Sequence, residues 1–266
     1  MAGTDGLVFD RLGPGDIAGA LALSAEAGWN QTAEDWALMM RHGHCTGYRD
    51  RDGRPVASAL ALPMGAGVGW ISMVLVTADW RRRGLATRLV EDSARWLEDR
   101  GITPLLDATP DGAAVYRRMG FVGLCEIRRW QRAAGPREAP GAGVRPAGAG
   151  DLDAIAALDA AAFGAERRFV LADLMARGPA LVNRSGGGFL LGRRGRLAMQ
   201  IGPVTAADEA TAVRLLRAAL AGLDGPVFVD AFDARTGFAE ALAAAGFSVQ
   251  RPFTRMMRGE AARGLG

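Results

Sequence analysis

Ile71-Ser72-Met73-Val74-Leu75-Val76, followed after a short gap by Arg81-Arg82-Arg83-Gly84-Leu85-Ala86, is the passage that decides the fold of this chain. The first run is apolar apart from Ser72, as a buried strand is. The second opens a helix-patterned segment. Leu85, Leu89, Val90, Ser93 and Leu97 keep one apolar face, and Gly101 ends it. A strand that passes into a helix through arginine and glycine makes an anion site. The first N–H groups of the helix lack intrahelical acceptors, and the positive end of the helix dipole faces the same spot. Gly84, with no Cβ, lets backbone come close to a phosphate. Arg81, Arg82 and Arg83 add charge and forked donors. About 30 residues further on comes Tyr116-Arg117-Arg118-Met119-Gly120-Phe121, at a distance one βαβ unit allows.

Together the two landmarks resemble those of the GNAT family of acyl-CoA-dependent N-acetyltransferases. The family's acetyl-CoA motif, Arg/Gln-x-x-Gly-x-Gly/Ala, is matched by Arg81, Gly84 and Ala86. Its later hallmark, a tyrosine shortly before Gly-Phe, is matched by Tyr116, Gly120 and Phe121. A lone glycine-rich turn is more often an ordinary helix start, so the ordered pair carries the weight. The resemblance implies an α/β fold with a mixed sheet. It implies acetyl-CoA as cosubstrate, held by Val74, Val76 and the run Arg81, Arg82, Arg83, Gly84, Leu85, Ala86 and Thr87. It also implies direct transfer of acetyl to an amine, a small molecule in this reading, and a strand splayed from its neighbour to admit the pantetheine arm.

The bulk composition agrees with a globular protein. The chain has 266 residues, 49% hydrophobic and 23% charged, enough for one large domain or two small ones. No apolar run approaches the roughly 20 residues of a membrane span. The N-terminus lacks the basic-then-apolar pattern of a secretory signal. Cys45 and Cys125 make no disulfide framework, which fits a reducing cytoplasm. Net charge is +3, and every Lys/Arg position is arginine. The arginines are scattered among acids without an evident basic stripe, so nucleic acid is not the expected partner. Oligomeric state is not readable.

The chain repeats itself. Val76-Thr77-Ala78 returns as Val204-Thr205-Ala206, Leu106-Asp107-Ala108 as Val229-Asp230-Ala231, and Gly120-Phe121 as Gly246-Phe247. This is duplication of a domain, not a solenoid. The Pro/Gly/Ala-rich stretch 134–143 reads as a linker. It separates an N-terminal acetyl-CoA-binding domain, 1–133, from a degenerate C-terminal GNAT-like domain, 144–266. By the resemblance, each is a central, mostly antiparallel twisted sheet flanked by helices. In the second copy Glu209 stands in the place of Arg81, Ala212 in that of Gly84, Arg214 in that of Ala86 and Leu242 in that of Tyr116. Acids at the helix start repel a pyrophosphate, so only the first half is expected to bind the cofactor.

An amine that attacks a thioester needs a proton acceptor, an oxyanion donor and a proton for the departing thiolate. By the resemblance the oxyanion donor is a backbone N–H near Val74 or Val76, and Tyr116 is the general acid; otherwise Tyr116 packs with an exposed hydroxyl. Relatives carry a glutamate on the strand before the cofactor turn, but Trp70-Ile71-Ser72-Met73-Val74 has no carboxylate. Asp107, after apolar Leu105-Leu106, is the candidate to hold or deprotonate the amine; the alternatives are a helix cap or a structural ion pair. Asp230 holds the matching place in the second half, and Trp29 is a candidate acceptor-site wall or a core residue. His42, His44 and Cys45 read as a loop or cleft wall; no metal is expected there. The alternative to an enzyme is a non-catalytic acyl-CoA-binding regulator.

Overall fold

The computed structural model describes residues 6–65, 67–135 and 142–259. The chain gathers into two compact units. One takes the chain up to Gly123 together with the segment from Met256, and the other takes Leu124 to Arg255. Most of the expected linker 134–143 lies outside the described residues. Among those residues no helix is long and apolar enough to cross a membrane.

The first unit runs β1 (Val8–Arg11), α1 (Ile17–Glu26), α2 (Ala33–His42), β2 (His44–Arg49), β3 (Pro55–Pro63), β4 (Val68–Val76), α3 (Leu85–Glu98), β5 (Thr103–Ala108) and α4 (Pro110–Arg118). Local chemistry sets several of these boundaries. Thr32 and Asp35 close a capping box at the start of α2, with Asp35 Oδ2 accepting the Thr32 N–H at 2.9 Å. Trp36 of α2 is fully buried and donates through Nε1 to Ser24 Oγ of α1 at 3.0 Å. At Gly43 a Cβ would lie 2.7 Å from the Ala61 carbonyl oxygen. Only glycine lets α2 pass straight into β2 there. This corrects the expected loop at His42–Cys45: His42 ends the helix, and His44 and Cys45 begin the strand.

The strand order is β1-β2-β3-β4-β5, antiparallel except for the parallel pair β4–β5. Helix α3 buries Leu85, Leu89, Val90, Ser93, Ala94 and Leu97, the face its sequence pattern predicts. Val90 and Leu97 join Leu106, Ala108, Phe121 and Met256 in one core cluster.

The second unit takes β6 (Val122–Arg132) from Leu124 onward. It continues with β7 (Val144–Pro146), α5 (Leu152–Phe163), α6 (Arg168–Arg177), β8 (Ala180–Asn183), β9 (Gly188–Arg194), β10 (Met199–Ala206), α7 (Glu209–Ala221), β11 (Val227–Phe232), α8 (Thr236–Ala244) and β12 (Ser248–Met257). Its order is β12-β6-β11-β10-β9-β8-β7, with β10–β11 parallel. One core packs α7 and α8 residues Leu215, Leu220 and Leu242 on Val227 and Val229. Another packs Ile155, Leu171 and Leu174 of α5 and α6 on Phe189 and Leu191. From β7 to α8 the order of elements repeats that from β1 to α4. The molecule is therefore a mixed α/β protein of two GNAT-like domains.

Candidate active site

Strands β4 and β5 pair only at their beginnings: Val68 with Thr103, Gly69 with Pro104 and Trp70 with Leu105. Past that point β4 continues to Val76 and β5 to Ala108 without ladder partners in each other. The opening coincides with a bulge. The register of β4 on β3 shifts between Leu60–Ser72 and Ser58–Leu75. Met73 sits within it at φ +53°, a value few non-glycine residues adopt. Ser58 Oγ donates to the Met73 carbonyl at 2.8 Å, a fully buried bond that pins the bulge. A bulge turns the strand and breaks the ladder, so backbone groups around Met73 and Val74 become available to something other than a strand.

Beyond β4 the chain turns through Arg82 at φ +61° and Gly84 at φ +79°. Gly84 is the N-cap of α3 and offers no side chain, so the first-turn N–H groups of Leu85, Ala86 and Thr87 have no capping acceptor. A Cβ built on Gly84 would meet nothing within 4 Å. The space over the helix end is open. The arginines beside it brace the turn. Arg81 Nε donates to the Val76 carbonyl at 3.0 Å, and Arg83 Nη2 to the Asp79 carbonyl at 3.1 Å. Arg83 also stacks 4.6 Å from the Trp80 ring centroid. Leu85 is buried, whereas Arg82 and Thr87 are exposed.

Glu26, at the end of α1, is a member of this site that the sequence reading missed. Its carboxylate accepts from Thr77 Oγ1 and the Ala78 N–H, both at 2.7 Å, and pairs with Arg81 at 3.5 Å. The Thr77 hydroxyl, then the Ala78 N–H, hold the Glu26 carboxyl below its ordinary range. No local signal marks Glu26, because its partners lie more than 50 residues away in the chain.

Tyr116 lies on α4. Its ring is 6.1 Å from that of Phe121 and rests against Gly112, where a Cβ would stand 3.0 Å from the ring. Burial raises the phenol above its usual value. Asp107 lies on β5 two positions past the last paired residue, on the face opposite the core residues Leu106 and Ala108, and is exposed. Trp29 stands half-buried in the loop between α1 and α2, its N–H on the Ser24 carbonyl at 2.8 Å. Val74 and Val76 are half-buried against Leu85 and Leu89. The turn, the opening and Tyr116 thus belong to one unit.

An open groove of about 450 Å³ runs along the outer side of α3, lined among others by Thr87, Arg88, Tyr48 and Met119. Neither Gly84 nor Tyr116 lines it. Among the described residues no group of three or more His, Cys, Asp or Glu is placed to hold a metal.

The second unit keeps the framework without the anion end. Its β10–β11 pairing also stops after three residues, at Ile201 with Val229, and β10 carries its own register shift between Ile201 and Val204. But α7 caps itself: Asp208 accepts the Thr211 N–H at 2.6 Å, and Glu209 follows in the first turn. Leu242 is fully buried in the core. Asp230 lies on β11 in a two-point ion pair with Arg129.

Two family models match the chain: one described as the acetyltransferase (GNAT) family over residues 20–121, the other as the acetyltransferase (GNAT) domain over residues 155–264. A comparison with curated proteins finds no match. A solved structure from Pyrococcus horikoshii is 20% identical with a TM-score of 0.81, over 98% of this chain and 92% of that one. A GCN5-related N-acetyltransferase from Sphaerobacter thermophilus is 17% identical with a TM-score of 0.69, over 97% and 98%. A tandem GNAT protein from the clavulanic acid biosynthesis pathway is 17% identical with a TM-score of 0.67, over 96% and 99%. At these identities the likeness is one of fold.

Proposed function

The chain belongs to the GNAT acetyltransferases and carries two GNAT domains, and from that premise we propose that its first unit transfers acetyl from acetyl-CoA directly to a primary amine of a small molecule. The observation that carries this reading is the combination of an uncapped α3 with the opened β4–β5 pair. An unobstructed helix end with a left-handed glycine suits a pyrophosphate, and Arg82 adds charge at the same turn. The gap past Trp70 and Leu105 suits the extended arm that carries the thioester.

In this reading a backbone N–H of the β4 bulge, near Val74 or Val76, takes the developing oxyanion. Tyr116 gives its proton to the departing thiolate, and its burial keeps that proton in place at neutral pH. Asp107 receives the cationic amine. Tyr116 and Asp107 belong to opposite sides of β5, which supports cofactor entry on one side and acceptor entry on the other. Trp29 is a wall of the acceptor site. Asp230, tied to Arg129, is a weaker candidate for acceptor binding. The second unit binds no CoA, because Asp208 and Glu209 occupy its helix start.

Calorimetry with acetyl-CoA should show one site per chain, lost in Gly84→Glu. A thiol-release screen across small amines should then find an acceptor. Two sites, or binding indifferent to the substitution, would sink the cofactor assignment. The second reading, a non-catalytic acyl-CoA-binding regulator, is favoured by the absence of any carboxylate on β4. Acetyl-CoA binding without thiol release for any amine would select it.

A further inference from the structure

The sheet face of the second unit that carries Asp230 holds more positive than negative charge. Arg129 of β6 and Asp230 of β11 stand opposite each other and bond through both arms, Nε to Oδ1 and Nη2 to Oδ2, each at 2.7 Å. Arg251 of β12 joins them. Its guanidinium lies 5.1 Å from the Phe253 ring centroid, and that of Arg129 lies 5.4 Å from the same ring. One phenyl ring is therefore shared by two cations, with Phe228 5.8 Å from Arg129.

Arg251 is half-buried and makes no hydrogen bond or ion pair with the described residues; of its three side-chain nitrogens only Nε is sealed from solvent. Burial, then the neighbouring Arg129, push its guanidinium below the ordinary range, and Asp230 alone opposes them. That carboxylate already has both oxygens on Arg129. The balance is one uncompensated, partly desolvated cation beside two aromatic rings. Such a charge is unfavourable unless an anion completes it. A guanidinium edge matches a planar carboxylate. The adjacent Asp230 disfavours a dianionic phosphate.

We propose that Arg251, with Arg129 and Phe253, forms a binding site for the carboxylate of a small organic ligand, built entirely from the second unit. The proposal does not depend on the acetyl-transfer reading of the first.

The test uses the full chain at constant ionic strength. Sodium benzoate, sodium succinate and inorganic phosphate are titrated calorimetrically into wild type and Arg251→Gln. At least one carboxylate should bind saturably at one site per chain, and the variant should weaken it roughly tenfold or more, as expected for loss of a charged hydrogen-bond partner. Phosphate should bind more weakly than that carboxylate. The variant's melting temperature should stay level or rise, because no native contact is lost and an uncompensated charge is removed. The proposal is overturned if neither carboxylate binds saturably, if wild type and variant bind alike, or if phosphate binds tighter. A lower melting temperature in the variant overturns it too, by making Arg251 a structural residue.

Discussion

Replacing Tyr116 with phenylalanine keeps the ring against Phe121 and Gly112 and removes only the hydroxyl. The fold should be indifferent. In the proposed mechanism kcat should fall by about 10²–10⁴-fold, the usual cost of losing a general acid, with acetyl-CoA affinity nearly intact. Steady-state kinetics with an identified amine, beside calorimetry, check both halves; unchanged turnover with chemistry rate-limiting would make Tyr116 a packing residue. Another single side chain bears on pH. His44 stacks on Trp96 with centroids 4.7 Å apart, and burial, then Arg11, hold its imidazole below the ordinary value. Its folded value is depressed, so the unfolded chain binds the proton first as pH falls. His44 should therefore cost no stability above the unfolded value of about 6.5, and should lower stability progressively below it. Thermal melts from pH 7 down to 5 should show this slope, and His44→Gln should flatten it. At this scale the sequence was partly legible. Gly84 and Tyr116 announced themselves because a positive-φ glycine before a helix and a Tyr-x-x-x-Gly-Phe run are local patterns. Glu26 and Ser58 could not, since each acts only through a partner brought close by the fold.

Among elements, β4 matters most, and its bulge is held by a bond that no strand pattern reveals. Ser58→Ala leaves the Met73 carbonyl buried without that donor. The expected cost is about 1–3 kcal/mol, that of one buried unsatisfied group, with weaker acetyl-CoA binding as β4 relaxes toward regular pairing. Chemical denaturation and calorimetry on the same sample would separate the two effects, and a variant equal to wild type in both would show that the bulge holds itself. The predicted strand at Gly69–Val76 and helix from Leu85 came from apolar period alone, and both formed. The period gives an element's face and length. It does not say where a ladder stops, which is why the β4–β5 opening was expected only from a family resemblance. It also missed the direct passage from α2 to β2, because the constraint on Gly43 is the Ala61 carbonyl, a residue of another strand.

For the molecule as a whole, the duplicated Val-Thr-Ala and Gly-Phe runs foretold two similar sheets, yet they could not tell which unit a given strand would join. Most of β6 sits in the second unit beside β11. The Met256–Arg258 segment sits in the first, where Met256 is fully buried in the core and Arg258 binds Glu98 through Nε at 2.7 Å and Nη2 at 2.8 Å. Arg258 also reaches Glu91 at 2.8 Å, and its N–H meets the Pro104 carbonyl at 3.0 Å. A fragment ending at residue 133 lacks all of this. It should show no cooperative melt by circular dichroism, whereas the full chain should; a sharp transition in the fragment would show that the borrowed segment is dispensable.

That same segment sets a timetable. A ribosome that has finished α4 has made nearly every residue of the first unit but must still add more than a hundred before Met256 leaves the exit tunnel. At about 5–20 residues per second the nascent unit waits many seconds with Phe121 and Leu106 short of their final neighbour. A chaperone that shields apolar surface would find its client in that interval.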